Sequence, residues 1–186
     1  MLISRSVITL CVMLFATFFV ASNLGQSQPM PLPPVAKLDI KQAQCIATAI
    51  YYEARNEPLA GQVAVAKVIM NRVLHKFAKD PCSVVYQRTP IADSSGNIVG
   101  TLCQFSWVCE NRGQPSIKSA KYAQALAIAT EVMITDKWDN LLPNNVLFFH
   151  AITAAPQWVY KKVTTIGNHV FYSKGREKEV TSDKKA

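Results

Sequence analysis

Residues 61–76 constrain this chain more than any other segment. Gly61 is followed by Gln-Val-Ala-Val-Ala-Lys-Val-Ile-Met-Asn-Arg-Val-Leu-His, a run apolar on most sides of an α-helix. No single polar stripe is left to turn to water, so such a helix has to be central. Pro58 can open it from its first turn, where a missing N–H is tolerated. Asn56-Glu57-Pro58 also ends whatever precedes, because the residue before a proline disfavours the helical region. Residues 36–55 read as that preceding helix, with Asp39 as N-cap ahead of the apolar periodicity. Two helices therefore meet at a tight corner.

The corner carries the most suggestive carboxylate. Ala43, Ile46, Ala47, Ile50 and Ala54 fall on one side of the first helix, and Glu53 lies beside Ile50 and Ala54 on that side. Partial desolvation favours the neutral carboxyl and makes it a proton donor near neutral pH, which a departing glycosidic oxygen requires. A competing reading is a solvated helix-end residue or an ion-pair partner of Arg55 or Arg72. The start of the second helix would favour ionised Glu53 and Glu57, opposing the desolvation at Glu53.

Around this corner the chain divides simply. Residues 1–22 read as an export signal, possessing Arg5, an apolar run over residues 7–20 and small residues at Ala21-Ser22; an uncleaved anchor is the alternative. Cys11 lies inside that run and reads as a small hydrophobe. Residues 23–35, with Gln26-Ser-Gln-Pro-Met-Pro-Leu-Pro-Pro34, form an extended linker. Residues 36–172 have the size of one domain, and residues 173–186 read as a flexible charged tail. The formal net charge is +8, which on an exported domain suits anionic envelope polymers. The basic residues are scattered and no nucleic-acid-binding module is present, so nucleic acid is not an expected partner.

Export leaves Cys45, Cys82, Cys103 and Cys109, an even set that points to disulfides in an oxidising compartment. Their pairing is open, and the spacings lack the Cys-x-x-Cys pair of a zinc site. Residues 81–86 read as a short helix or turn, and residues 91–101 as a loop or small hairpin turning at Ser95-Gly96-Asn97. Residues 116–134 form a further helix, with Ala120, Ala123, Ala127 and Ile134 available for close packing. Residues 146–150 read as a strand, and residues 158–164 with 169–172 as a pair joined at Ile166-Gly167-Asn168. The expected class is α+β and mainly helical, with a small C-terminal antiparallel sheet.

Three blocks resemble the SleB/CwlJ-type cell wall hydrolases, the spore-cortex-lytic enzyme family. The first, residues 49–73, is similar to that family's Glu-Ala-Arg-Gly-Glu followed by Gly-Gln-x-Ala-Val-Ala and Asn-Arg-Val. The second joins Val84-Val-Tyr-Gln87 to Cys103-Gln-Phe-Ser-Trp107. The third is Leu147-Phe-Phe-His-Ala151, then Trp158, then Thr165-Ile-Gly-Asn-His-Val-Phe171. Asn56 departs from the family glycine, and its tolerance of the left-handed region would preserve the turn. The resemblance implies a lysozyme-like or lytic-transglycosylase-like fold. It also implies cleavage of peptidoglycan glycan strands between N-acetylmuramic acid and N-acetylglucosamine, with Glu53 as general acid.

A lone protonated carboxyl suffices if the muramic 6-hydroxyl attacks, giving a 1,6-anhydro product. Hydrolysis would normally call on a second carboxylate, for which Glu57 and Glu110 are the candidates. Gln104, Phe105, Ser106 and Trp107 read as glycan-groove residues, since sugars stack on rings and amides bind acetamido groups. Trp107 and Phe105 could instead fill core; Trp158 is a further groove candidate, with core packing slightly ahead. His150 and His169, the histidines of the matched blocks, are also candidates for binding substrate, with His169 supporting the cleft.

No cofactor and no metal site is expected. The rival readings are a zinc-dependent amidase or peptidase built on His150, His169 and a carboxylate, a Cys–His peptidase, and a non-catalytic wall-binding module. The expected location is the periplasm or the cell wall outside, with membrane contact only through an uncleaved signal, and the expected form is a monomer.

Overall fold

The computed structural model describes residues 38–176. The signal and linker readings, and the tail beyond Arg176, lie outside those residues. Helix α1 (Ile40–Ala54) begins at Asp39, whose side chain accepts from the amides of Lys41 and Gln42 at 3.0 and 3.3 Å and so satisfies donors the helix cannot. Ala43, Ile46, Ala47, Ile50 and Ala54 are all buried, as the periodicity required. Pro58 stands one residue before α2 (Leu59–Leu74). Short helix α3 (Pro81–Val85) leads to hairpin strands β1 (Arg88–Ala92) and β2 (Ile98–Cys103), then to α4 (Ser106–Cys109) and α5 (Ala120–Ile134). Strands β3 (Val146–Ala151), β4 (Tyr160–Ile166) and β5 (His169–Arg176) form an antiparallel sheet in the order β3-β5-β4. The class is α+β with small antiparallel sheets, as expected. Among the described residues no helix is long and apolar enough to cross a membrane.

Helix α2 is the centre. One side contributes Val63, Ala66 and Ile69 to a core shared with α1, α3, α5 and the Phe105–Trp107–Val108 segment. Another gives Ala64 and Val68 to a second cluster with Leu142, Val146 and Phe171, beneath the sheet. Burying each Val or Ile here stabilises the fold by roughly 1.5–3 kcal/mol. Its polar side chains are buried too, and they reach across to the next layer. Lys67 pairs with Asp139 at 2.7 Å. Asn71 Nδ2 donates to the carbonyls of Pro143 and Val146 at 3.0 and 2.9 Å, and Arg72 Nε donates to Leu147 O at 2.8 Å. The helix therefore grips the start of β3 by its backbone.

Several expectations are corrected. On α5 the buried residues are Tyr122, Ala125, Ile128, Ala129 and Val132, whereas Ala120, Ala123, Ala127 and Ile134 are exposed. Alanines lie all round this helix, so residue size does not mark the inner stripe. Tyr122 does, fully buried with its hydroxyl accepting from Gln114 Nε2 at 2.8 Å. Asn56 needs no left-handed backbone: the non-glycine residues at positive φ are Lys76 and Asn111 among the described residues. The chain turns there through Glu57 N donating to Ala54 O at 2.9 Å. Residues 173–176, expected to belong to a flexible tail, are strand instead: β5 continues to Arg176 with Ser173 buried opposite Val146.

The cysteines pair as Cys45–Cys82, which ties α1 to α3, and Cys103–Cys109, which closes the end of β2 onto α4. Loop-closure entropy makes the first the stronger restraint, with 37 residues of separation against 6. Replacing Cys45 and Cys82 by alanine should cost about 3–4 kcal/mol of unfolding free energy, and replacing Cys103 and Cys109 about 2 kcal/mol. Urea denaturation of the two double variants checks that order.

Candidate active site

A pocket opens where the last turn of α1, the β2–α4 junction and the C-terminal sheet converge. Its wall includes Glu53, Gln104, Phe105, Ser106, His150, Trp158 and His169, so seven residues singled out from sequence come together here. Arg72, Phe148 and Phe149 also line it. Sequence reasoning had not assigned them to the site. A buried arginine on an otherwise apolar helix was the signal available for Arg72.

Glu53 is half-buried. Burial raises its pKa above the usual carboxylate value; the Trp107 indole opposes this and the negative charge of Glu110 reinforces it. The indole N–H exerts that influence without closing a hydrogen bond of good geometry, and no other partner meets it among the described residues. Neither proposed cation pairs with Glu53. Arg55 turns back to Tyr51 O at 3.1 Å and lies over the Tyr51 ring, and Arg72 is bound to β3.

Trp107 is only 3 % exposed. It stacks on Tyr52 at 4.9 Å and on Phe105 at 6.0 Å between ring centroids, with the edge of Tyr86 against it. It therefore backs the pocket and offers no open ring face for a sugar, which corrects the groove reading. Trp158 is the reverse case. Weighed between groove and core, it is 41 % exposed at the rim, with edge contacts to Phe148, His150, Tyr160 and Tyr172. Trp158 lies in the loop two residues before β4 begins at Tyr160, so a period-two strand reading does not apply to it.

The histidines differ. His150 Nδ1 lies 2.8 Å from Ala151 O and Nε2 lies 2.9 Å from the Tyr172 hydroxyl. A carbonyl only accepts, so Nδ1 carries the proton and Nε2 accepts from the tyrosine. His169 is buried with Nδ1 unpartnered among the described residues. Burial lowers its pKa, with Glu57 opposing and His150 adding to the shift, so the ring is neutral at neutral pH.

The candidate second carboxylates are engaged elsewhere. Glu57 accepts from Asn168 N at 2.8 Å and Asn168 Nδ2 at 3.1 Å, tying the β4–β5 turn to the α1–α2 corner. Gly167 has φ of 58°, and a Cβ there would collide with Glu57 Oε2, so the contact requires glycine on both counts. Glu110 is exposed and paired with Arg112 at 2.6 Å. Among the described residues no group of three or more His, Cys, Asp or Glu side chains is placed to hold a metal ion. Cys45, Cys82, Cys103 and Cys109 are all bridged, which leaves the Cys–His reading without a thiol among them.

The sequence profile of the cell wall hydrolase family matches residues 56–172. This chain belongs to that family. The match begins at Asn56, just after Glu53, so it carries no role for the carboxyl itself. The spore cortex-lytic enzyme of Bacillus cereus is 33 % identical over 132 residues, covering 69 % of this chain and 42 % of that protein. The spore cortex-lytic enzyme of Oceanobacillus iheyensis is also 33 % identical over 132 residues, covering 69 % of this chain and 40 % of its own length. The chain thus spans about two fifths of the length of the curated relatives it matches. In three dimensions it is similar to the catalytic domain of the Bacillus cereus SleB protein. The TM-score is 0.51 at 22 % identity, over 79 % of this chain and 99 % of that one. The likeness shows the fold of this cell wall hydrolase domain, the lysozyme-like class expected from the resemblance.

Two outcomes follow from the pocket. Because burial raises the Glu53 pKa, the folded state holds this proton more tightly than the unfolded chain does. That contribution is complete below the unfolded pKa and is lost as pH rises through the folded value. Glu53→Gln keeps a neutral group throughout, so it should melt with the wild type in acid and above it at neutral pH. Thermal melts at both pH values check this. The Cys103–Cys109 bridge encloses Gln104, Phe105 and Ser106, which Gln104 N donating to Gln87 O at 3.0 Å and Arg88 Nη2 donating to Val108 O at 2.9 Å also hold. Opening it by Cys103→Ser with Cys109→Ser should lower kcat/KM on cell wall by about tenfold, as misplacement of a pocket wall does. Removing the Cys45–Cys82 bridge, remote from the pocket wall, should affect kcat/KM far less at a temperature where both variants are folded.

Proposed function

We propose that this chain degrades peptidoglycan by cleaving the glycosidic bond between N-acetylmuramic acid and N-acetylglucosamine, with Glu53 as general acid and then base. The observation that carries this reading is a half-buried carboxyl, raised in pKa by burial, that is the one carboxylate among the described residues of a pocket wall bearing aromatic, amide, imidazole and guanidinium groups. The neutral Glu53 carboxyl donates its proton to the glycosidic oxygen as the C1–O bond breaks. Positive charge develops at C1 of the muramic residue, and the carboxylate left behind is oriented to take a proton. The 6-hydroxyl of the same sugar gives up that proton and its oxygen bonds to C1, closing a 1,6-anhydro ring and restoring neutral Glu53.

This route needs no second carboxylate, which fits the commitment of Glu57 to Asn168 and of Glu110 to Arg112. Hydrolysis is the second reading, favoured by one observation: the charge of Glu110 is felt at Glu53. Gln104 and Ser106 are positioned to bond acetamido and hydroxyl groups, and Trp158 presents a ring at the rim for a sugar to stack on. His150 and His169 complete the wall. The site of action is then the cell wall or periplasm, reached by export.

Digestion of purified sacculi followed by mass spectrometry of the fragments tests the reading. Anhydro-muramic ends are expected; reducing muramic ends would mean hydrolysis, and free peptides an amidase. Glu53→Gln should lower the rate by about 10²–10⁴-fold while sacculus binding persists. The alkaline limb of the rate profile should lie above the usual carboxylate range, because the acid must hold its proton. Undiminished cleavage by Glu53→Gln would remove the assignment.

A further inference from the structure

Two polar groups in the pocket wall are buried without partners, and they belong to different elements. Arg72 on α2 is 4 % exposed. Its Nε is spent on Leu147 O, and its guanidinium carbon lies 5.7 Å from the centroid of the Phe148 ring. Nη1 meets no acceptor among the described residues, and Arg72 forms no ion pair there. Burial pulls its pKa down to about 10, which still leaves it charged at neutral pH. His169 on β5 is 5 % exposed, with Nδ1 likewise unpartnered.

A buried cation without a counter-ion is strongly disfavoured, and a cation–π contact over one ring offsets only part of the penalty. Glu53 does not supply the missing anion. No ion pair joins Glu53 to Arg72 among the described residues. The pocket thus has a buried positive charge that no acidic side chain among the described residues pairs with.

We propose that Arg72 and His169 form an anion subsite that takes a carboxylate carried by the muramic residue of the substrate. The inference rests on the glycan-cleaving reading for the identity of the strand, and adds to it a determinant of which strands bind well. A planar guanidinium pairs with a carboxylate through parallel N–H donors, and such charge-assisted bonds are the strong ones. The neutral imidazole of His169 supplies one further N–H. An acetamido carbonyl would satisfy the hydrogen bond but leave the charge. In peptidoglycan the carboxylate has two sources: the lactyl group itself where the peptide has been removed, or an acidic residue of an attached peptide. If the lactyl carboxylate is the ligand, the substrate must be supplied by an amide-hydrolysing reaction that strips the peptide from muramic acid.

The test compares peptide-free strands with free lactyl carboxylates, the same strands with those groups coupled to methylamine, and peptide-bearing strands before and after the same coupling. The wild-type protein digests each, and Glu53→Gln is assayed for co-sedimentation with each, so that affinity is read whether or not cleavage follows. With a lactyl ligand, coupling should raise KM and the dissociation constant on peptide-free strands by about tenfold or more. With a peptide ligand, the same loss should appear on peptide-bearing strands. Arg72→Gln should erase the difference by weakening the acid form alone, and Arg72→Lys should restore part of it. Affinity unchanged by coupling on both kinds of strand would overturn the subsite, and this result needs no Arg72 variant to fold. Absence of cleavage on every strand would instead remove the glycan-cleaving reading, with co-sedimentation still deciding the subsite.

Discussion

The structure depends on burying one helix on nearly every side. A helix in that position cannot send its polar side chains to water, so each must find a partner inside or remain unsatisfied at a cost. Helix α2 resolves this by reaching for the next layer. Asn71 bonds to two carbonyls around the start of β3 and Arg72 to a third, which sets the sheet against the helix by directional contacts as well as apolar packing. The sheet position then decides where Phe148, Phe149 and His150 stand. A side chain that locates β3 is therefore also a wall of the pocket, and the site inherits its rigidity from the core.

The second tie runs through the α1–α2 corner. Glu57 accepts twice from Asn168, and Gly167 is the residue that lets the β4–β5 turn come close enough. Glu53 sits one turn earlier on α1, so the helix end that carries it and the turn that carries His169 are held in one frame. Glu57, bonded to Asn168, anchors the corner that carries Glu53. That division of labour explains how two acids so near in sequence come to have different environments, one desolvated and one fully hydrogen-bonded.

Much of this was legible in the chain, for identifiable reasons. The central helix, the capped helix before it, the hairpins and the C-terminal sheet follow from apolar periodicity, Pro58, Asp39, Gly96 and Gly167, all local signals. The pocket was legible through Glu53 and the Gln104–Ser106 segment because their residue types state their chemistry. What failed was the direction of side chains where local pattern is silent. Alanines surround α5, so its inner stripe is marked by Tyr122 alone. For Trp107 and Trp158 alike the sequence left groove and core open, because burial of an indole is decided by which layers close over it. Trp158 stands in the loop before β4, where no strand periodicity assigns a face. Arg72 was visible as an oddity, but its unpaired nitrogen is a property of three dimensions.

Electrostatics makes the pocket asymmetric. Its acid is driven towards the neutral form by burial, while its buried guanidinium, although lowered to about 10, keeps its charge. The two groups respond oppositely for the same reason: desolvation penalises any charge, and a carboxyl can discard its charge near neutral pH whereas an arginine cannot. The pocket wall therefore keeps a buried cation, in a chain whose formal charge is already +8. On the proposed reading, an anionic polymer is drawn to such a surface over long range and meets that cation at short range. Binding an anion beside Glu53 would also hold that carboxyl in its protonated form, since a like charge nearby disfavours ionisation. Substrate recognition and readiness of the acid are then coupled by the same charge.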